Sequence, residues 1–324
     1  MPVPSTIVRM AQHLWYWQWK TLMTGLGPAD SNGNYVRPKA NFLQVASQTA
    51  QFVEQSRYIL IVGRSCPWAH RAWLVWMIRN LQETISVIVV EPDKRRGKWR
   101  FITPFHGCHN LYDLYLRCGS PKNHRATVPI IFDQKKMTIM CNESAQIIEL
   151  LNNWPASTGS PELMPFSCQK TIEEYRELIQ FDINDGVYKC GFARQQSAYT
   201  KASTTLFEAL GTIEENLSKN GPWICGPHIT LPDICLFPTL IRWELVYAPL
   251  FNCSRQPLWQ FTSIWQWRQR FFSLPGVADT CDSEAMVSDY FGSLFPLNPS
   301  GIVPDNPSLA SLVLSFTPDP RHYG

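Results

Sequence analysis

The sequence lacks an uninterrupted apolar run of the length that crosses a bilayer. A membrane-spanning helix needs about 20 predominantly apolar residues, and Arg79, Glu83 and Arg242 interrupt the best candidate stretches. No charged leader followed by an apolar stretch opens the chain. We therefore expect a soluble protein without a membrane partner.

An excess of charge of one sign is also missing. The 29 basic and 26 acidic residues leave a net charge of +3, and no run of five or more like charges could follow a phosphate backbone. The densest basic cluster is interpreted as a solvated loop; it comprises Lys94, Arg95, Arg96, Lys98 and Arg100. Nucleic acid is not an expected partner.

Cysteine is present but not dense. Ten cysteines in 324 residues do not form the short-spaced framework of a small secreted domain. We therefore expect mostly reduced thiols and a cytoplasmic protein. The length, with 45% hydrophobic and 17% charged residues, predicts a globular chain of two domains.

The N-terminal half has a pattern of strands and helices that predicts a thioredoxin-like α/β domain. A strand, a helix and a strand are followed by a hairpin and a further helix, predicted over residues 58–62, 68–81, 85–90, 128–132, 137–140 and 143–151. A βαβ unit followed by a ββα unit is the thioredoxin-like layout.

The C-terminal half has apolar residues at helical spacing only, which predicts an all-α domain with helices over residues 172–185, 203–217, 231–247 and 264–272. We place the boundaries as follows: N-terminal extension 1–50, thioredoxin-like domain 51–152, linker 153–167, all-helical domain 168–295, and an irregular Pro-rich C-terminal arm 296–324.

The sharpest chemical signal is the segment SCPWAHR at residues 65–71. Pro67 suits a first helical turn, which places Cys66 at a helix N-terminus after the first strand. Free N–H groups and the helix dipole there stabilise a thiolate and lower the cysteine pKa. Because Ala69 stands where a dithiol oxidoreductase has its second cysteine, the resolving thiol must come from outside. Taken alone, Cys66 could equally be a small buried hydrophobe.

Two further segments point to a site for an extended peptide. Val128-Pro129 precedes a strand, where a tight, possibly cis, turn leaves the backbone of Val128 free to pair with a peptide. Glu143-Ser144 opens the next helix, where a carboxylate, a hydroxyl and free N–H groups can hold both charges of an amino-acid group. Ordinary helix capping explains the second pair as well.

The helical half offers weaker signals. Thr230 and Asp233 have the spacing of a capping box, which is a structural interpretation. Tyr188, Tyr247 and Tyr290 lie in helix-like or loop surroundings, and the pattern alone favours core aromatics.

Together these segments resemble the glutathionyl-hydroquinone reductases, the Xi class of the glutathione transferases, from about Asn34 to Pro307. The resemblance rests on seven segments in order: SCPWAHR at 65–71, GKWRF at 97–101, TVPIIFD at 127–133, NESAQII at 142–148, NDGVYKCGFA at 184–193, RWELVY at 242–247 and DYFGSLFPLNPSGIVPDNP at 289–307. It implies the glutathione transferase fold.

The resemblance also assigns roles to residues. Cys66 is the implied nucleophile, and Trp99, Val128, Glu143 and Ser144 are the implied glutathione contacts. Tyr188 and Tyr290 match tyrosines of the family's aromatic substrate pocket, which we expect to act on the substrate, and Arg242 and Tyr247 are further candidates for that pocket. Three departures should border it: Asp289-Tyr290-Phe291 where His-Tyr-Tyr is usual, Trp243-Glu244 where Phe-Asp is usual, and an inserted Lys98.

The function that the resemblance implies is glutathione-dependent reduction of glutathionyl-hydroquinones through a mixed disulfide on Cys66, with glutathione as co-substrate and no metal. A homodimer is expected because the family is dimeric. Two alternatives stay open: a broader thioltransferase or dehydroascorbate reductase, and a non-catalytic carrier of quinones or tetrapyrrole-like ligands.

Overall fold

A six-stranded mixed sheet organises the N-terminal half of the protein. The computed structural model describes residues 3–38, 54, 56–93, 98–305 and 308–314. The strands are β1 (Tyr58–Gly63), β2 (Ile85–Asp93), β3 (Lys98–Phe105), β4 (Cys108–Asn110), β5 (Ile130–Asp133) and β6 (Thr138–Cys141), in the spatial order β4-β3-β2-β1-β5-β6.

The central strand β1 is buried along its whole length, as its run of apolar residues predicts. It pairs in parallel with β2 and antiparallel with β5. The predicted turn between β5 and β6 is held by Asp133, whose carboxylate accepts the backbone N–H groups of Lys135 and Lys136 and pairs with Arg57 at 2.7 Å. The predicted hairpin is therefore confirmed.

Three helices accompany the sheet: α2 (Pro67–Ile78), α3 (Leu111–Arg117) and α4 (Ser144–Asn152), of which α2 and α4 pack against each other. The predicted strand and helix order of a thioredoxin-like domain is confirmed. β3, β4 and α3 were not predicted. The pattern of β3 is unclear because most of its side chains are partly or fully exposed and Pro104 interrupts its apolar residues.

The C-terminal half is helical, as predicted. Its helices are α5 (Gln169–Leu178), α6 (Asp185–Gly191), α7 (Gln196–Asn220), α8 (Leu231–Leu240), α9 (Ala248–Phe251), α10 (Thr262–Phe272) and α11 (Ser283–Ser293). Wider π-helical turns at Ile179–Asn184 and Trp243–Tyr247 join α5 to α6 and α8 to α9. Two of the predicted helices are therefore longer and less regular than expected.

The stretch Leu231–Phe251 corrects one expectation from composition. It has the length and apolar character of a membrane-spanning helix, with a mean hydropathy of 1.3, although 83% of its most apolar part is buried inside the protein. The expectation that Arg242 breaks this apolar stretch into pieces too short to span a membrane is therefore wrong. Burial of this kind is typical of a core helix.

The predicted capping box at the start of α8 is present, because Asp233 accepts the backbone N–H and the hydroxyl of Thr230.

Both terminal segments contain helices that the sequence patterns did not predict. The extension forms α1 (Ser5–Leu26), which packs on the body mainly through its last turns. The C-terminal arm contains α12 (Leu309–Leu314), which packs on α10, so it is not wholly irregular. Residues 39–53, 94–97, 306–307 and 315–324 lie outside the described residues, including parts of the predicted extension, basic cluster, GKWRF segment and arm.

Candidate functional site

Cys66 occupies the N-cap position of α2, directly after the loop that follows β1. Pro67 is the first helical residue, where its missing N–H costs no hydrogen bond. The Cys66 side chain is half-buried, and its Sγ lies 3.7 Å from the carbonyl oxygen of Val128. The predicted placement at a helix N-terminus is what the structure contains.

The pKa of the Cys66 thiol is raised in the structure, whereas the sequence predicted a lowered pKa. Burial raises the pKa of Cys66 and is the largest influence. The backbone N–H groups of Ala69 and Trp68 lower it, as do the positive charges of Arg242 and Arg37. In the ligand-free protein the effect of burial prevails, so the pKa of Cys66 is raised. The nearby N–H groups and arginines favour the thiolate but do not compensate for its desolvation.

Arg242 holds the loop that carries Cys66 and does not line the cleft above it. This corrects the prediction of a substrate contact. The guanidinium is fully buried and donates to the carbonyl oxygens of Ser65 at 3.1 Å, Arg64 at 3.2 Å and Pro238 at 2.8 Å. It also donates to Nδ1 of His70 at 3.0 Å. Arg242 is therefore a positioning residue that ties the helical domain to the active-site loop.

The hydrogen bond from Arg242 fixes the tautomer of His70. Because Arg242 can only donate, Nδ1 of His70 must accept, and Nε2 then donates to the hydroxyl of Thr280 at 2.8 Å. Burial lowers the pKa of His70 well below its usual value, and the charge of Arg242 lowers it further. His70 is thus a neutral structural residue of SCPWAHR.

A second contact from the helical domain reaches the same loop. The hydroxyl of Ser65 donates a hydrogen bond to the carboxylate of Asp289 in α11. The first of the expected departures from the family therefore contacts the active-site loop, but none of Asp289, Tyr290 and Phe291 lines the cleft, which corrects the expectation that they border the pocket. By contrast, Trp243 and Glu244 lie in the helical core, where Glu244 pairs with Arg268 at 2.7 Å. That departure does not border the pocket, which corrects the expectation.

A cleft of about 520 Å³ opens above Cys66 between the two domains. The four predicted glutathione contacts, Trp99, Val128, Glu143 and Ser144, all line it. The Val128-Pro129 bond is cis, as the sequence allowed. The ring of Trp99 lies over Gly63, where a β-carbon would stand only 2.5 Å from it. Close packing thus requires glycine at the end of β1.

The start of α4 brings the negative charge of Glu143 close to the positive charge of Arg71. Glu143 is the N-cap, and its carboxylate accepts the backbone N–H of Ala145 at 3.2 Å. The buried guanidinium of Arg71 donates to the Ser144 hydroxyl oxygen at 2.7 Å and lies 3.9 Å from the Glu143 carboxylate. The Ser144 hydroxyl proton remains available to an acceptor in the cleft. A carboxylate and a hydroxyl donor at the start of a helix therefore line the same part of the cleft.

The predicted tyrosines form one hydrogen-bonded group. The hydroxyl of Tyr290 lies 2.6 Å from that of Tyr188 and 3.2 Å from that of Tyr247. Burial raises the pKa of each phenol, so all three stay protonated at neutral pH. Only Tyr188 lines the cleft, whereas Tyr247 and Tyr290 are buried behind it. They support Tyr188 and do not face the cleft directly.

The N-terminal extension supplies cleft residues that the sequence patterns missed. Tyr35 and Arg37 line the cleft, and the Arg37 guanidinium lies 3.6 Å above the ring centre of Trp68. Arg37 also pairs with Asp185 at 2.9 Å. Only the resemblance, which begins near Asn34, could have pointed to them. His124 and Arg125, in the loop before β5, are further lining residues without a sequence signal.

The inserted Lys98 lies beside the cleft without lining it. Its ammonium group sits 4.1 Å above the ring centre of Tyr112, which stacks on His124. Lys98 therefore adjoins the cleft through its chain neighbour Trp99 and through the Tyr112–His124 stack, both of which end in residues that line it.

A thioredoxin-like sheet, a cysteine at the N-terminus of α2 and an all-helical second domain define a glutathione transferase. Comparison with known proteins agrees: the glutathione S-transferase N-terminal domain family matches residues 65–154, and the C-terminal domain family matches residues 196–270.

The more similar relatives show to which class of the glutathione transferases the chain belongs. Glutathionyl-hydroquinone reductase YqjG of Escherichia coli is 34% identical over 264 residues, which cover 78% of this chain and 80% of that protein. Glutathionyl-hydroquinone reductase PcpF of Sphingobium chlorophenolicum is 31% identical over 86% of this chain and 91% of its own length. The crystal structure of the Xi glutathione S-transferase of Phanerochaete chrysosporium superposes with a TM-score of 0.80 at 31% identity, covering 86% of this chain and 94% of that one. The chain belongs to the Xi class of the glutathione transferases.

Proposed function

We propose that this protein reduces glutathionyl-hydroquinones to hydroquinones with glutathione as co-substrate. The observation that carries the proposal is the position of Cys66, which lines one cleft together with Glu143, Ser144 and Tyr188. The relatives YqjG and PcpF, which are named glutathionyl-hydroquinone reductases, support the same reaction.

The glutathionyl group would lie along the thioredoxin-like domain. Its γ-glutamyl end would meet Glu143, which attracts the ammonium, and the Ser144 hydroxyl, which donates to the carboxylate. Its cysteinyl part would pair with the backbone of Val128, which brings the glutathione sulfur toward Cys66 Sγ. Trp99 would close the cleft over the ligand.

The chemical step would be attack by the Cys66 thiolate on the glutathione sulfur. A sulfur–sulfur bond forms between Cys66 and glutathione, and the bond between sulfur and the hydroquinone ring breaks. The ring carbon takes a proton, so the ring is reduced while two sulfurs are oxidised to a disulfide. Tyr188, held protonated by burial, would orient the hydroquinone hydroxyl.

A second glutathione would complete the cycle. Its thiolate attacks the mixed disulfide, releases oxidised glutathione and restores Cys66. Cys66 is the single cysteine among the described residues that line the cleft, which favours an external resolving thiol. We further propose a homodimer in the reducing cytoplasm. All ten cysteines, each within the described residues, are free, which supports that location.

Turnover with a glutathionyl-hydroquinone tests the proposal. We expect hydroquinone and oxidised glutathione in equal amounts, loss of turnover in Cys66→Ser, and near-normal turnover in the control Cys168→Ser, which changes another half-buried thiol. Without added glutathione, intact mass should show one glutathione on Cys66. Tight binding without turnover would instead indicate a carrier, and a disulfide from Cys66 to Cys108, Cys141 or Cys190 would contradict the external-thiol cycle.

A further inference from the structure

The N-terminal helix α1 projects from the body with little that holds it. Every residue from Ser5 to Gln18 is exposed, and the contacts with the body come mainly from Trp19, Met23 and Leu26 at its end. Packing of an apolar face supplies most helical stability in proteins. The exposed turns of α1 therefore need a surface to pack on.

The exposed part of α1 is amphipathic. Ile7, Met10, Leu14 and Trp17 follow one another at helical spacing and share one face, and they are 55%, 73%, 58% and 65% exposed. These four apolar side chains form a continuous stripe. In a protein of mixed surface charge, a stripe of this size indicates an interaction site.

A basic sector lies beside the apolar stripe of α1. At 100° per residue, Arg9, His13 and Lys20 fall within one narrow sector that borders the apolar stripe on the side of Trp17. The first acidic residue of the whole chain is Asp30, beyond the end of α1. The helix therefore presents Trp and aliphatic side chains on one face, and the charged residues that border this face are all basic.

We propose that α1 docks this protein on the surface of an anionic lipid bilayer. An interfacial helix places its apolar face at the boundary between headgroups and acyl chains, with Lys and Arg on the polar face near the lipid phosphates. The helix lies on the bilayer and does not cross it, since among the described helices only Leu231–Phe251 is apolar enough to span. The proposal departs from the expectation of no membrane partner, which rested on the search for spanning segments alone.

Neighbouring residues extend the apolar surface. Trp15 contacts Phe295 edge-on, with ring centres 6.3 Å apart, and Phe295 is itself 50% exposed. A second copy of the chain fits less well as the occupant. Two α1 helices that paired through their apolar stripes would bring like-charged basic sectors to the edges of the interface, with no acidic residue to complement them.

Vesicle sedimentation of the full chain tests the proposal. We expect the protein to co-sediment with vesicles of phosphatidylcholine and phosphatidylserine, less with phosphatidylcholine alone, and less at high salt. The double variant Leu14→Glu, Trp17→Glu should bind at least about tenfold more weakly, because two large apolar side chains are lost from the contact. Its matched control is Phe166→Glu, which changes an 89% exposed aromatic residue elsewhere and should bind normally.

Charge is tested separately. Arg9→Glu with Lys20→Glu should abolish the preference for phosphatidylserine, while reversal of two exposed lysines on other helices, Lys170→Glu with Lys201→Glu, should not. All variants should keep their circular dichroism and their turnover, because none of the changed residues lines the cleft. Failure of the unmodified protein to sediment with anionic vesicles would overturn the proposal. So would a stable dimer that is lost in the Leu14→Glu, Trp17→Glu variant.

Discussion

Replacement of Arg242 by methionine should damage both the fold and the reactivity of Cys66. The guanidinium donates four hydrogen bonds in a fully buried setting, three of them to backbone carbonyls and one to His70. A hydrogen bond from a charged donor contributes about 1.5–3 kcal/mol, and such contributions are not additive. We therefore expect Arg242→Met to lower the free energy of unfolding by about 3–5 kcal/mol, measured by denaturant titration.

The reactivity of Cys66 should fall for a separate reason. Arg242 fixes the carbonyl groups of Arg64 and Ser65, and its positive charge lowers the pKa of the Cys66 thiol. Without it, alkylation of Cys66 by iodoacetamide at neutral pH should slow severalfold, under conditions where the variant is fully folded. Arg242→Lys keeps the charge but cannot serve every acceptor, so its alkylation rate should lie between the two.

Arg268 provides the matched control. It is equally buried in the same domain, where it donates to the Leu240 carbonyl oxygen at 3.0 Å and pairs with Glu244. Arg268→Met should therefore cost a similar free energy of unfolding while leaving the alkylation rate of Cys66 unchanged. Equal slowing in Arg242→Met and Arg268→Met, or none in either, would refute a positioning role for Arg242.

Four further outcomes are expected. Glu143→Ala should raise the KM for glutathione far more than it lowers kcat, and Glu143→Gln, which keeps a capping oxygen, should do the same if charge and not capping is responsible. Gly63→Ala should push the ring of Trp99 aside, destabilise the fold by about 1–3 kcal/mol and raise the same KM; an unchanged KM would argue against a role for Trp99. Asp233→Asn should lower the free energy of unfolding by about 2–4 kcal/mol in denaturant titration, because its carboxylate accepts four buried hydrogen bonds and an amide would oppose two of the donors. Because burial raises the pKa of Cys66, the alkylation rate of the ligand-free protein should still climb above pH about 8.5, the usual thiol pKa; a plateau well below that pH would contradict the assignment.

Local patterns predicted the elements whose burial is uniform. β1 is buried at every residue, and its unbroken apolar run identified it. β3 escaped prediction because most of its side chains are partly exposed and its role in the sheet depends on pairing with β2. The π-helical turn at Trp243–Tyr247 escaped for a similar reason: apolar spacing is nearly the same in a helix with one wider turn.

In the candidate site, too, some residues could be predicted from local sequence patterns and others could not. Cys66, Glu143 and Ser144 each occupy a helix start, which short-range sequence signals can identify. Arg37 reaches the cleft through its contacts with Trp68 and Asp185, which is 148 residues away. No local pattern encodes such a contact, because it depends on how the extension crosses the junction of the two domains.

The environment of Cys66 depends on contacts that are distant in sequence. Ser65 is held at its carbonyl oxygen by Arg242, 177 residues away, and at its hydroxyl by Asp289, 224 residues away. Both partners belong to the helical domain, whereas Cys66 belongs to the sheet domain. The orientation of the thiol is therefore determined by the packing of one domain against the other. This explains why a signature of seven residues can identify the nucleophile but cannot set its pKa, for which the buried charges and carbonyl contacts of the helical domain are also needed.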